Sequence, residues 1–368
     1  MIPVCEPLLD DNALAYVTEA VASGWISSDG RFLTEFERRW AKYCGVEHGI
    51  AACNGTAALA MAVAALKLEP GSEIILPSFT IVSCVLAVLE AGCVPVLVDS
   101  EPDTWCLDVG QVAARIGPRT RAIMPVHMFG HPADMAPLLA LAERHGLAVI
   151  EDAAEAHGAE YDGRRAGGMG TMGCFSFYAN KIITTGEGGM VVTNDQTLAD
   201  RLRSLRNLAF RRERRFLHTE IGHNYRLTNV QAAIGLAQVE RIAEHLARKR
   251  RMAALYTEGL GGLSCLTLPV ERAPARNVYW MYGVVLGDEV PFDAAEFARR
   301  LHGRGVDTRP LFLGMHEQPV FHERGLFVGE RYPVAERLAR RGLYLPSGLP
   351  LQETEISTVC NIVREILA

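Results

Sequence analysis

Lys181 stands between two runs that read as buried strands, in the stretch CFSFYANKIITTGEGGMVVTN that covers residues 174–194. Residues 174–178 alternate aromatic with small side chains and residues 190–193 form a β-branched run, so the lysine falls in a tight connection between core strands. An ammonium held near an apolar core finds an anion, loses its proton, or is bonded covalently. The third case is the lysine of Schiff-base enzymes, a desolvated amine whose depressed pKa makes it a nucleophile toward an aldehyde. A loop lysine by itself reads as solvated, so its surroundings decide between these readings.

Two other segments supply those surroundings. Asp152 ends the apolar run in LAVIEDAAEAHG, at a strand end where open parallel sheets place ligand-facing groups. A lysine for an aldehyde and a carboxylate for a pyridine nitrogen are what pyridoxal 5'-phosphate requires, because the protonated ring acts as an electron sink. In HGIAACNGTAALAMAVAAL a short strand turns through Asn-Gly-Thr into an alanine-rich helix. Gly55 admits close backbone approach, and Thr56 and Ala57 open the helix, so their N–H groups and the Thr56 hydroxyl suit a phosphate. Alone, that segment is also an ordinary helix cap.

Six blocks in order, WISSDG, NGTAAL, EDAAEAHGA, GCFSFYANKIITTGEGGMVVTND, HNYRLTNVQAAIGLAQVE and RPLFLGMHEQP, resemble the DegT/DnrJ/EryC1/StrS group of sugar aminotransferases nearly end to end. The resemblance implies an α/β chain of the aspartate aminotransferase fold (PLP fold type I), and pyridoxal 5'-phosphate with pyridoxamine 5'-phosphate as its aminated form. It also implies glutamate as amino donor, a nucleotide-linked keto sugar as acceptor, and a homodimer with sites shared across the interface. Block likeness within the group implies GDP-4-keto-6-deoxymannose as the sugar. A 3-keto sugar or a cyclitol is the alternative, and a non-catalytic nucleotide-sugar-binding or regulatory protein is the alternative of another class. Relatives that dehydrate sugars carry histidine where Lys181 stands, which argues against dehydration.

Residue by residue, the likeness implies that Ser176 bonds the phosphate and that Asn224 and Arg226 reach a neighbouring subunit's phosphate, a task suited to a planar guanidinium. Glu155, where the wider family often has glutamine, is implied near the cofactor's phenolic oxygen. Ile81 falls where many members stack an aromatic ring, with Phe79 as the other candidate. Trp25 and Ser27 belong to a turn implied at the mouth of the site, and His157, Arg309 and His316 are implied substrate contacts. Leu313 and Gly314 replace a tyrosine and proline frequent in that last block, which implies an altered sugar pocket.

These residues need a scaffold, and the pattern supplies one. From residue 73 to residue 151, short apolar runs alternate with helical segments, which argues a mainly parallel sheet covered on both faces. Beyond residue 244 the pattern changes to a charged helix, separate strands and a closing helix. The reading is a large cofactor domain over residues 1–244 and a small α+β domain over residues 245–368. Gly168, Gly170 and Gly173 spell a dinucleotide fingerprint, but they follow a polar segment and open a strand, so they are expected to serve tight turns.

Composition narrows the class. With 49% hydrophobic and 22% charged residues and a net charge of −6, the chain reads as a globular enzyme with no nucleic-acid partner. The basic run 211–215 reads as a surface loop or as one that meets a phosphorylated substrate. Nine cysteines lie scattered without a C-x-x-C pair, mostly in apolar segments, so reduced core thiols, no metal site and a cytoplasmic location are expected. Residues 1–10 lack the pattern of a signal peptide and the longest apolar tract is interrupted, so neither export nor membrane insertion is expected.

Overall fold

The computed structural model, which describes residues 1–211 and 214–368, gathers seven strands into one sheet. From edge to edge they are His48–Ala52, Gly189–Thr193, Met172–Ser176, Ala148–Asp152, Thr120–Ile123, Glu73–Pro77 and Val94–Val98. Pairing is parallel from Met172–Ser176 to Val94–Val98, and antiparallel only where Gly189–Thr193 meets its two neighbours. The mainly parallel sheet expected from the alternating pattern is therefore present, with one reversed strand. An antiparallel return needs no helical crossover, so the chain leaving Ser176 comes back after a loop, and that loop carries Lys181.

The helix Gly55–Ala65 is buried along most of its length, with Asn54 as its cap, accepting the Ala57 N–H at 2.8 Å. Alanine serves here twice, as the strongest helix former and as a side chain small enough for close packing. A Cβ on Gly55 would meet the Ser176 Cβ at 2.8 Å, so glycine lets the helix start touch the neighbouring strand. The helix Asn229–Glu240 opens on a capping box formed by Thr228 and Gln231.

A second, antiparallel sheet orders Leu266–Thr267, Tyr282–Leu286, Gly342–Leu345 and Arg309–Pro310. It has its own apolar cluster, including Tyr256, Phe297, Leu345 and Val363. The division placed between residues 244 and 245 falls inside the helix Ile242–Leu260, where Ile242 packs with the large core and Met252 onward with the small one. Residues 2–4 cross that division. Ile2 donates to Gly305 at 2.7 Å, and Val4 accepts from Ser347 at 2.8 Å.

The glycine-rich segment before Met172 wraps a carboxylate. Glu151, fully buried, accepts backbone N–H groups from Gly167, Met169 and Gly170, and its Oε2 lies 3.0 Å from His127 Nε2. The apparent fingerprint is thus a cage for an internal anion, and its turns precede the Met172–Ser176 strand as expected. That strand ends at Ser176, so Tyr178, expected inside it, stands half exposed in the loop. All nine cysteines are free, and among the described residues no helix is long and apolar enough to cross a membrane.

Candidate active site

Lys181 is held where its amine is nearly dry. Its side chain is 10% exposed, its Nζ lies 3.9 Å from Glu155 Oε1, and the Trp280 ring centroid is 3.8 Å away. The Trp280 indole N–H donates to the carbonyl of Asn180 at 2.9 Å, fixing the backbone next to the lysine. Burial pushes the Lys181 pKa below the ordinary lysine range, while the charges of Glu155, Asp152 and Cys5 oppose that shift. Glu155 feels the converse: burial raises its pKa to about 7 against the pull of Lys181 and of the Phe129 N–H, which donates at 2.8 Å. Phe129 reaches that position with a left-handed φ of 51°.

Asp152, 2% exposed, sits at the C-terminal end of its strand, with Oδ1 accepting the Ala154 N–H at 3.0 Å and Oδ2 accepting the Cys84 thiol at 3.1 Å. Burial and the Asp152 charge push the Cys84 thiol well above its usual range, so it stays a donor. Across the cavity, Thr56 and Ser83 hydroxyls stand 2.7 Å apart beside the start of the helix Gly55–Ala65, with Ser176 against Gly55. One cavity of about 410 Å³ is lined by Gly55, Thr56, Ile81, Asp152, Glu155, Ser176 and Lys181, all expected from sequence. Ile81, not Phe79, faces it: Ile81 is exposed at the start of its helix, while Phe79 is fully buried against Phe129 and Phe312.

Other expected residues lie elsewhere. The Ala57 N–H is taken by the Asn54 cap, so it is not free for an anion. His157 is fully buried among Trp40, Phe175 and Phe177, and burial with the nearby Lys181 charge lowers its pKa to about 3. It is a neutral core residue behind the lysine strand, not a substrate contact. His316 is also buried, bonded through Nδ1 to Ser78 at 2.7 Å and through Nε2 to Glu336 at 3.3 Å, and Arg309 is exposed and paired with Asp307. Neither lines the cavity.

Trp25 and Ser27 do not line the Lys181 cavity of their own chain. Their carbonyls accept from Asn229, which ties the turn to the helix Asn229–Glu240, and Trp25 borders a separate cavity. Asn224 bridges Asn207, and Arg226 donates to the Asn207 side chain at 2.8 Å beside a further cavity with Arg203 and Arg206. Within one chain neither reaches Lys181. Of the basic run, residues 212 and 213 lie outside the described residues.

Sequence reasoning missed Trp280, Phe312 and Tyr344, which wall the cavity from the second sheet's side, and Cys84 behind Asp152. Cys84 had a signal, since it lies one helical turn beyond Thr80 in the segment leading from Ile81. Trp280 had none beyond its aromatic neighbours.

The donor set fits pyridoxal phosphate. Hydroxyls and backbone N–H groups at a helix start suit its phosphate, a buried carboxylate suits its ring nitrogen, and a desolvated amine suits its aldehyde. The close packing of Gly55 on Ser176 leaves the backbone bare where the phosphate would sit. Fold and site together define a pyridoxal-phosphate enzyme of the aspartate aminotransferase type.

The chain belongs to the DegT/DnrJ/EryC1/StrS aminotransferase family, whose model matches residues 7–364. It is similar to GDP-perosamine synthase of Caulobacter vibrioides, 44% identical over 367 residues, covering 100% of this chain and 98% of the relative. GDP-perosamine synthase of Escherichia coli O157:H7 is 38% identical over 364 residues, covering 99% and 98%. Among solved structures, the aminotransferase TlmJ from Streptoalloteichus hindustanus superposes with a TM-score of 0.92 at 33% identity, covering 99% of this chain and 98% of that one. The chain is a transaminase that uses pyridoxal phosphate.

Proposed function

We propose that the enzyme moves an amino group from glutamate to GDP-4-keto-6-deoxymannose, forming GDP-perosamine. The observation that carries the sugar assignment is the 44% identity, over the whole chain, to a relative named for that product. Bound in the cavity, pyridoxal phosphate supplies an aldehyde that takes up an amine and a protonated ring that draws electrons from the adjacent carbon. With the cofactor bound, Lys181 would carry a proton from the donor's α-carbon to the cofactor carbon, and in the second half from the cofactor carbon to the sugar's C4, acting as base and then acid in each half. Its depressed pKa suits both directions. Asp152 would hold the proton on the ring nitrogen, and Thr56 and Ser176 would hold the phosphate. Glu155 faces the amine and would lie toward the phenolic oxygen, and Trp280, Phe312 and Tyr344 would keep water from the reacting carbon.

The dimer belongs to the same proposal. Asn224 and Arg226 lie away from Lys181 in their own chain, which supports their acting on a neighbouring subunit's cofactor. The test is a substrate panel followed by mass spectrometry, with glutamate as donor. Amination of the GDP-linked 4-keto sugar, with 2-oxoglutarate formed in step, is the expected result. Exclusive turnover of a 3-keto sugar or an inosose overturns the sugar assignment, and no product with any sugar overturns the whole reading.

A further inference from the structure

Lys249, on the helix Ile242–Leu260, is 2% exposed, a burial that a lysine accepts only with partners for its ammonium. Its Nζ donates to two carbonyl oxygens, that of Trp280 at 2.7 Å and that of Ser347. Burial lowers its pKa to about 8, opposed by Cys5. No step of the reaction described above uses this group.

What Lys249 holds is Trp280. The backbone N–H of Trp280 donates to Phe129 at 2.9 Å, and Phe129 gives its own N–H to Glu155. The indole N–H grips the Asn180 carbonyl, and the ring lies under the Lys181 amine. Trp280 thus meets the lysine by three routes, and the remaining backbone group of Trp280, its carbonyl, is fixed by the buried ammonium.

We propose that Lys249 is a positioning residue for transamination: by clamping the Trp280 backbone it keeps the indole pressed against Lys181, which holds that amine dry and aimed. The proposal rests on the reading of Lys181 as the amine that acts at the cofactor. Charged and titratable groups facing Lys181 are Glu155, Asp152, Cys5 and the neutral His157, and Cys5 also faces Lys249.

Competitive acylation of the cofactor-free protein across a pH series, with the Lys181 peptide quantified by mass spectrometry, reads the amine's titration without turnover. Lys249→Met is expected to raise the Lys181 midpoint by about one unit as water reaches the amine. In the loaded enzyme it is expected to lower kcat by roughly ten- to a hundredfold with a smaller change in KM. Trp280→Phe keeps a ring and the Lys249 charge but loses the indole donor, so it separates contact from field, and it is expected to shift the midpoint the same way. A shift in Lys249→Met without one in Trp280→Phe assigns the effect to the ammonium's field and overturns the positioning role. So does an unchanged titration in folded Lys249→Met, or in Trp280→Phe where Lys249→Met does not fold. If the titrations shift as expected but the wild type binds no pyridoxal phosphate, the proposed function fails and the clamp stands.

Discussion

In the proposed reaction a single amine, that of Lys181, serves as nucleophile, base and acid, and its burial, which lowers its pKa, is what makes the three compatible. Lys181→Ala is expected to lower turnover by at least about 10³-fold, measured as 2-oxoglutarate release, because no other amine lines the cavity among the described residues. Glu155 carries a pH signature of its own. Its folded pKa of about 7 lies above the ordinary 4.5, so between those values the native cofactor-free protein holds a proton that the unfolded chain has lost. Its contribution to stability therefore falls as pH rises from 4.5 to about 7. Glu155→Gln, neutral throughout, is expected to gain stability relative to wild type across that window in denaturant titrations. A constant difference between the two proteins would show that Glu155 does not titrate there.

At the scale of elements, local pattern points to most of the residues that line the cavity. Thr56, Asp152, Ser176 and Lys181 each end or follow a strand, or open a helix, and local pattern says where such ends point. His157 and His316 went wrong because local pattern does not say which side of an element is dry; His157 turns into the aromatic layer behind the lysine strand. The Ala57 N–H was lost to a cap residue three positions earlier. Trp280 arrives from a hundred residues away in sequence, and no short-range pattern announces it. The Glu151 cage shows how the backbone of a glycine-rich loop is held by a single buried carboxylate. Glu151→Gln leaves one oxygen where three N–H groups and His127 need acceptors, and it is expected to cost roughly 2–5 kcal/mol of stability by chemical denaturation. A loss below about 0.5 kcal/mol would show that the glycine loop holds itself.

For the whole molecule, the proposed shared site makes a numerical demand. An inactive Lys181→Ala dimer and an Arg226→Ala dimer, allowed to exchange subunits, put both lesions in one site of each hybrid and none in the other, so each hybrid should regain about half of a wild-type dimer's activity. Arg226→Ala alone should weaken cofactor binding by roughly ten- to a hundredfold, the scale of a charge-assisted hydrogen bond. Exchange proven by mass spectrometry without recovered activity would place Arg226 in its own subunit's chemistry.

The pairing of residues 2–4 with the second sheet's surroundings also sets an order of events during synthesis. Ile2 lies beside Val306, Val4 waits for Ser347, and the Cys5 thiol donates to Asn180, next to Lys181. The large sheet can form as soon as residue 193 has left the ribosome, yet residues 2–4, made long before, find their last partner only when residue 347 emerges. The lysine loop therefore keeps an open side until Trp280, Phe312 and Tyr344 have emerged and packed against it, and residues 2–5 take their places beside it once residue 347 is free.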